Sequence, residues 1–202
     1  MVAVTGEQGM RMAGDALASV TPVLAAGVGV QRGWYRALRA ASFRIEAPLT
    51  GRTAVGISVS SHRDGSAMVD LLAGRARPSH GELRVLGEDM STARGRAAVR
   101  AQVGLARGSL RPRPVVRMRG LAGRGLAGRA VRLAAAAAGR PGLLLIDGLL
   151  DDLGPVDAAA LAAAIRGLGR DIAIVATGRD IAALRLICDD VLTLANGIIV
   201  KG

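Results

Sequence analysis

Residues 54–74 read AVGISVSSHRDGSAMVDLLAG: an apolar run, a small polar loop, and a helix whose apolar side carries Val69, Leu71 and Leu72. Strand, tight loop and helix start is the layout of a phosphate-binding loop, in which backbone N–H groups and the helix dipole hold an anion. The side chains that normally complete such a loop are missing. A Walker A loop needs glycines for its turn and a lysine for the outer phosphates. Here the loop reads Val59-Ser60-Ser61-His62-Arg63-Asp64-Gly65-Ser66-Ala67, and Gly65 stands where the lysine belongs.

The segments on either side of this stretch fit an α/β domain. Pro78 to Gly81 reads as a turn, residues 82–86 as a strand ended by Gly87, and Ser91 or Thr92 as the cap of a helix reaching Arg100. Residues 103–106 make a very short strand, and LLLID at 143–147 is uniformly apolar up to its acid, the pattern of a central parallel strand. Helices are expected over 129–138, 156–168 and 180–187, with a strand at 171–176. Asn196-Gly197 between apolar runs predicts a hairpin. Toward the start, residues 22–31 suggest an edge strand, and 40–47 alternate with Phe43 and Ile45 on one face. Residues 1–20 are expected to be poorly ordered, leaving a single domain over 21–202. The predicted fold is a mostly parallel sheet flanked by helices, with an antiparallel β part on the N-terminal side and a C-terminal hairpin.

Composition narrows the function. Half of the 202 residues are apolar, enough for a packed core, and that core must be built from Ala, Val, Leu and Ile because Trp34, Tyr35 and Phe43 are the only aromatics. A net charge of +11 invites a nucleic-acid reading. Every basic residue except Lys201 is an arginine, however, and the arginines are scattered apart from denser stretches at 94–100 and 107–132. A nucleic-acid-binding module built on Arg107 to Arg132 stays as an alternative of another class; the lack of interleaved aromatics counts against it. The lone Cys188 sits in an apolar pattern and reads as a buried side chain in a reducing compartment. No apolar run approaches the ~20 residues of a membrane span, and the first residues lack the order of a signal peptide.

Six ordered segments resemble the nucleotide-binding domain of an ABC transporter. ALRAASFRIEAPLTGRTAVGISV is similar to the strand entering Walker A, and VDLLAGRARPSHGELRVLGEDM to the helix, turn and hairpin after it. RAQVGLARG resembles the approach to the Q-loop, and RAVRLAAAAAGRPGLLLIDG the helix and strand of Walker B. DDLGPVDAAAL resembles the D-loop region, and IAIVATGRDIAALRLICDDVLTLANGIIVKG the H-loop strand and terminal hairpin. The resemblance implies a P-loop NTPase fold, ATP with Mg²⁺ as weakly held cofactors, and as partner a membrane permease or another ABC ATPase subunit in a homo- or heterodimer. It also implies a cytoplasmic location, peripheral at the inner face of the membrane.

The resemblance further identifies what is gone. Ser61, His62, Arg63, Asp64, Gly65, Ser66 and Ala67 form a degenerate nucleotide-binding loop. A missing lysine charge forgoes about 4 kcal/mol of attraction at about 4 Å and an effective dielectric near 20. Ser66 and Asp147 match two Mg²⁺ positions, and Tyr35 the aromatic that stacks on adenine. Gly148 replaces the catalytic glutamate, Gly108 the Q-loop glutamine and Arg179 the switch histidine, beside a matching Asp180. Gly123-Arg124-Gly125-Leu126 keeps one signature glycine and loses the serine. His62 and His80 are expected in loops, without a metal site of their own. Residues 107–128 stand as a shortened remnant of the helical subdomain. The expected function is a catalytically degenerate partner or regulatory subunit; a divergent subunit still binding ATP through Arg63, Ser66 and Asp147 is the alternative.

Overall fold

In the computed structural model, the described residues are 2–3, 19–32, 34–48, 53–108, 125–168 and 172–201. The expectations for residues 4–18 and 109–124 therefore lie outside them. Two sheets organise the chain. The first is antiparallel: β1 (Val2–Ala3), β3 (Tyr35–Pro48), β2 (Ser19–Arg32), β5 (His80–Val85) and β6 (Glu88–Asp89), in that spatial order. The second runs β11 (Ile198–Lys201), β10 (Asp190–Ala195), β4 (Ala54–Val59), β9 (Ala173–Gly178), β8 (Leu143–Asp147) and β7 (Val103–Arg107). All its neighbours are parallel except β10 and β11.

Helix α1 (His62–Leu72) packs between the two sheets. Its Ala67, Met68, Val69, Leu71 and Leu72 share one core with Phe43 and Ile45 of β3 and with Ile57, Leu145 and Val175 of the parallel sheet. Helix α2 (Ala93–Gln102) adds Val99 to that core, and its cap is Thr92, whose Oγ accepts from the Gly95 N–H at 2.9 Å. Helices α3 (Leu126–Ala137), α4 (Pro155–Arg166) and α5 (Ile181–Arg185) cover the opposite face of the parallel sheet, where Leu133, Leu161, Ile165 and Leu184 are buried. Strand β8 is apolar up to Asp147 because both its faces are covered: Leu143 and Leu145 lie on the α1 side, and Leu144 and Ile146 on the side of the other helices. Each leucine fully buried there contributes roughly 2 kcal/mol.

Two sequence expectations shift in the sheets. Strand β2 is not an edge strand but lies between β3 and β5. It tolerates Pro22 because the β2–β3 register slips between Val20 and Val23, the irregularity at which a missing N–H costs least. The terminal hairpin is as expected, with Asn196 and Gly197 both at positive φ and Ala195 opposite Ile198. Cys188 is buried, 3.3 Å from where a Cβ on Gly56 would lie, so small residues on β4 admit α5 and the segment after it. Among the described residues no helix is long and apolar enough to cross a membrane.

Candidate functional site

The C-terminal ends of β4, β7, β8 and β9 gather around the first turns of α1. Between Val59 at the end of β4 and His62 at the start of α1 only Ser60 and Ser61 intervene, a shorter loop than the sequence suggested. Ser61 caps the helix: its Oγ accepts from the Arg63 N–H at 3.1 Å, and its carbonyl accepts from Asp64 and Gly65 at 3.1 and 3.2 Å. The N–H groups of Arg63, Asp64 and Gly65 are thus used within the first turn of the helix itself. Gly65 is closely packed, since a Cβ there would lie 3.2 Å from Thr177 Oγ1 and 3.3 Å from Val59 Cγ2.

His62 is not in a loop. It opens α1, with Nδ1 3.4 Å from Oδ2 of buried Asp151. His80 likewise opens β5, and its Nε2 donates to the Arg39 carbonyl at 2.6 Å.

Deeper in, parallel register sets three side chains abreast. Arg107 lies opposite Asp147, and Asp147 opposite Thr177, at the ends of β7, β8 and β9. Across from them α1 presents Ser66 and, one helical turn on, Asp70. Ser66 Oγ donates to Asp147 Oδ2 at 2.9 Å, and Thr177 Oγ1 donates to Oδ1 at 3.3 Å. The Arg107 guanidinium joins the two acids. Its Nε is 3.3 Å from Asp147 Oδ2, an ion pair without hydrogen-bond alignment, while its terminal nitrogen bonds Asp70 Oδ1. Burial pushes the Asp147 carboxyl above its ordinary range; Ser66, Arg107 and Thr177 pull it back in part.

What opposes a divalent cation in this arrangement is the Arg107 guanidinium, which already faces the Asp147 oxygen that accepts from Ser66. At the second cofactor position, Tyr35 opens β3 and is covered by the chain's own Arg63, whose guanidinium carbon lies 4.2 Å from the ring centroid. The Tyr35 hydroxyl donates to Asp64 Oδ1, and burial raises the Asp64 pKa. An aromatic face already held by a cation is not a free platform for a purine.

No family model matches the chain, and no curated protein matches it. Solved structures do. One is cbiO1 from Clostridium perfringens, described as part of the ABC transporter complex cbiONQ, at TM-score 0.66 and 14% identity over 89% of this chain and 87% of that one. Another is a nucleotide-free ATP-binding cassette from an ABC transporter, at TM-score 0.69 and 11% identity over 90% of each chain. A third is a dimeric cassette in a post-hydrolysis state with ADP and Pi bound, at TM-score 0.66 and 16% identity over 89% and 98%. The chain has the fold of an ATP-binding cassette.

Two glycines that the sequence resemblance matched to catalytic side chains leave little room for one, Gly108 against backbone and Gly148 through its positive φ. A Cβ on Gly108 would lie 2.0 Å from the Gly148 carbonyl oxygen, leaving no room for glutamine. Gly148, after Asp147, sits at φ 61 with its Cβ position 3.2 Å from Asp151 Oδ2, so a glutamate would be both strained and crowded. Arg179 donates through its backbone N–H to Asp151 Oδ1 at 2.9 Å and through its guanidinium to Asp152 Oδ1 at 2.6 Å. Asp180 caps α5 by accepting from Ala182 and Ala183. Of the signature-like stretch, Gly125 and Leu126 start α3, whereas Gly123 and Arg124 lie outside the described residues.

Sequence reasoning missed Arg107, Asp70, Thr177 and Asp151 as members of this cluster. It also missed Arg129, which is buried and donates to the Leu149 and Asp151 carbonyls at 2.7 and 2.6 Å, with desolvation lowering its pKa. The one signal available was an arginine just before Gly108, directly after the short strand expected at 103–106.

Proposed function

We propose that this protein is a non-hydrolysing cassette subunit, a pseudo-ATPase that serves as partner or regulator of a membrane permease or of a competent ATPase subunit. The carrying observation is the Arg107 guanidinium, which bridges Asp70 and Asp147 beside Ser66 and so supplies internally the positive charge that Mg²⁺ would otherwise bring. Arg63 on Tyr35 supports the same reading at the base-binding end. The chain's own arginines then keep the fold closed without a nucleotide.

Partnering follows from the proposed role. With only residues 109–125 between Gly108 and α3, the chain would contribute its core rather than a coupling arm, and its location would be peripheral, at the cytoplasmic face through the partner. Purified protein titrated with ATP and Mg²⁺ is the test: neither saturable binding at micromolar nucleotide nor phosphate release is expected. Turnover at an ordinary transporter rate, or tight ATP binding lost in Ser66→Ala with Asp147→Ala, would overturn it.

A further inference from the structure

The parallel sheet ends, among the described residues, on β7, whose neighbour on one side is β8. Two hydrogen bonds settle which way its backbone points. Gly142 N–H donates to the Gln102 carbonyl at 3.2 Å, and Gly108 N–H donates to the Asp147 carbonyl at 2.8 Å. Residues 102, 104, 106 and 108 therefore turn toward β8, and 103, 105 and 107 turn outward, because successive residues of a strand alternate in direction. The Val103 N–H is used by the Val99 carbonyl at the end of α2. Among the described residues, what remains along the outer edge is the Val103 carbonyl with the N–H and C=O groups of Leu105 and Arg107.

A groove of about 800 Å³ runs along this edge, between β7 and the C-terminal half of α3. Its floor is close-packed backbone: a Cβ on Gly104 would lie 2.2 Å from the Ala136 carbonyl oxygen. Its lining among the described residues includes Arg75, Arg107, Arg132 and Arg140 and no acid. Arg75 and Arg140 are exposed, and neither has an ion-pair partner among the described residues. Arg140 holds φ 48, a left-handed conformation that costs an arginine energy where glycine would adopt it freely.

We infer that this groove is a docking site for an extended acidic segment of a partner protein, which adds to β7 as a further strand. The edge supplies backbone donors and acceptors in strand spacing, and the exposed Arg75 and Arg140 beside it select for carboxylates on the incoming strand. Residues 109–124 of this chain are unsuited as occupant by charge, since they carry five arginines and no acid. A compact anion such as phosphate would leave the alternating backbone groups of Leu105 and Arg107 unused. The inference is tested apart from the nucleotide reading, because the substituted residues, Arg75 and Arg140, take no part in the Arg107–Asp147 cluster.

The probe is a fluorescein-labelled nonapeptide alternating glutamate and valine, titrated into the full chain at low salt. Saturable binding is expected, with slowed amide hydrogen exchange at Leu105 and Arg107. Arg75→Glu with Arg140→Glu should weaken it by at least about tenfold. Both side chains are exposed, so far-UV dichroism and the melting temperature should be retained in that variant. A probe N-methylated at alternate amides should lose binding to the same degree, since it keeps the charge but not the strand donors. Equal binding of the N-methylated peptide, tighter binding of an oligonucleotide of matched charge, or no binding at low salt would each overturn the inference.

Discussion

Arg107 and Asp147 face each other as register partners at the ends of β7 and β8, with Nε 3.3 Å from Oδ2. The two residues are distant in sequence, and the pair exists only because β7 and β8 are neighbours in the sheet. Both side chains are largely buried, so neither charge is well screened by water.

Removing one member of this set should therefore cost more than a surface ion pair. Arg107→Ala leaves Asp70 and Asp147 without their shared cation, and a loss of about 3 kcal/mol is expected. The midpoint of urea unfolding measures it. A change below about 0.5 kcal/mol would mean that the bridge contributes nothing to the fold.

Asp147 also predicts a pH dependence. Its carboxyl is raised by burial, so the folded chain binds that proton more tightly than the unfolded chain does. Its contribution to stability is greatest below the unfolded pKa of about 3.9, falls as pH rises through the window up to the folded value, and is constant above it. The stability of the wild type minus that of Asp147→Asn should decline across that acid window. A difference that climbs with pH there would reverse the assignment.

Refilling the two glycine positions should damage the fold without creating an ATPase. Gly108→Gln meets the Gly148 carbonyl, and Gly148→Glu must adopt φ 61 beside Asp151. Each is expected to cost roughly 1–3 kcal/mol. Thermal melts and a phosphate-release assay on the same preparations report both effects. Gain of hydrolysis by either variant would contradict the geometry.

Trp34 offers a direct optical check. It is 87% exposed, and its ring meets Tyr35 edge-on at 6.3 Å between centroids. A purine stacking on Tyr35 would have to displace Arg63, which lies 5.7 Å from the Trp34 centroid as well. As the chain's single tryptophan, Trp34 should show the same emission before and after addition of ATP and Mg²⁺. A saturable spectral shift would show that the platform opens.

The Ser61 cap provides a local test of the shortened loop. Ser61→Ala removes the acceptor for the Arg63 N–H and should lower stability by about 1 kcal/mol. Thermal unfolding of that variant reads the loss. No change would mean that the first turn of α1 is not held this way.

Much of the fold was legible because it rests on local and periodic signals. LLLID announced a strand buried on both faces, Asn196-Gly197 a hairpin, and Asp180 and the Ser91-Thr92 pair the starts of helices. Where expectation and structure part, a longer-range constraint has won. The strand expected at 22–31 as an edge is β2, Ser19–Arg32, inside its sheet, where a register shift absorbs Pro22, and the phosphate loop contracts because Ser61 draws α1 forward to His62.

By itself the sequence determined the order of most strands and helices, the apolar faces that become the two cores, and a phosphate-loop layout with Gly65 where a lysine would stand. What fills the emptied positions was decided only by tertiary structure. Arg107 reaches Asp147 through strand adjacency and Asp70 through the packing of α1 against the sheet, and Arg63 covers Tyr35 through the meeting of α1 with β3. Local preference extends over a few residues, whereas these charges come from segments brought together by burial of the cores between them, and a buried carboxylate takes whichever cation the fold sets within reach.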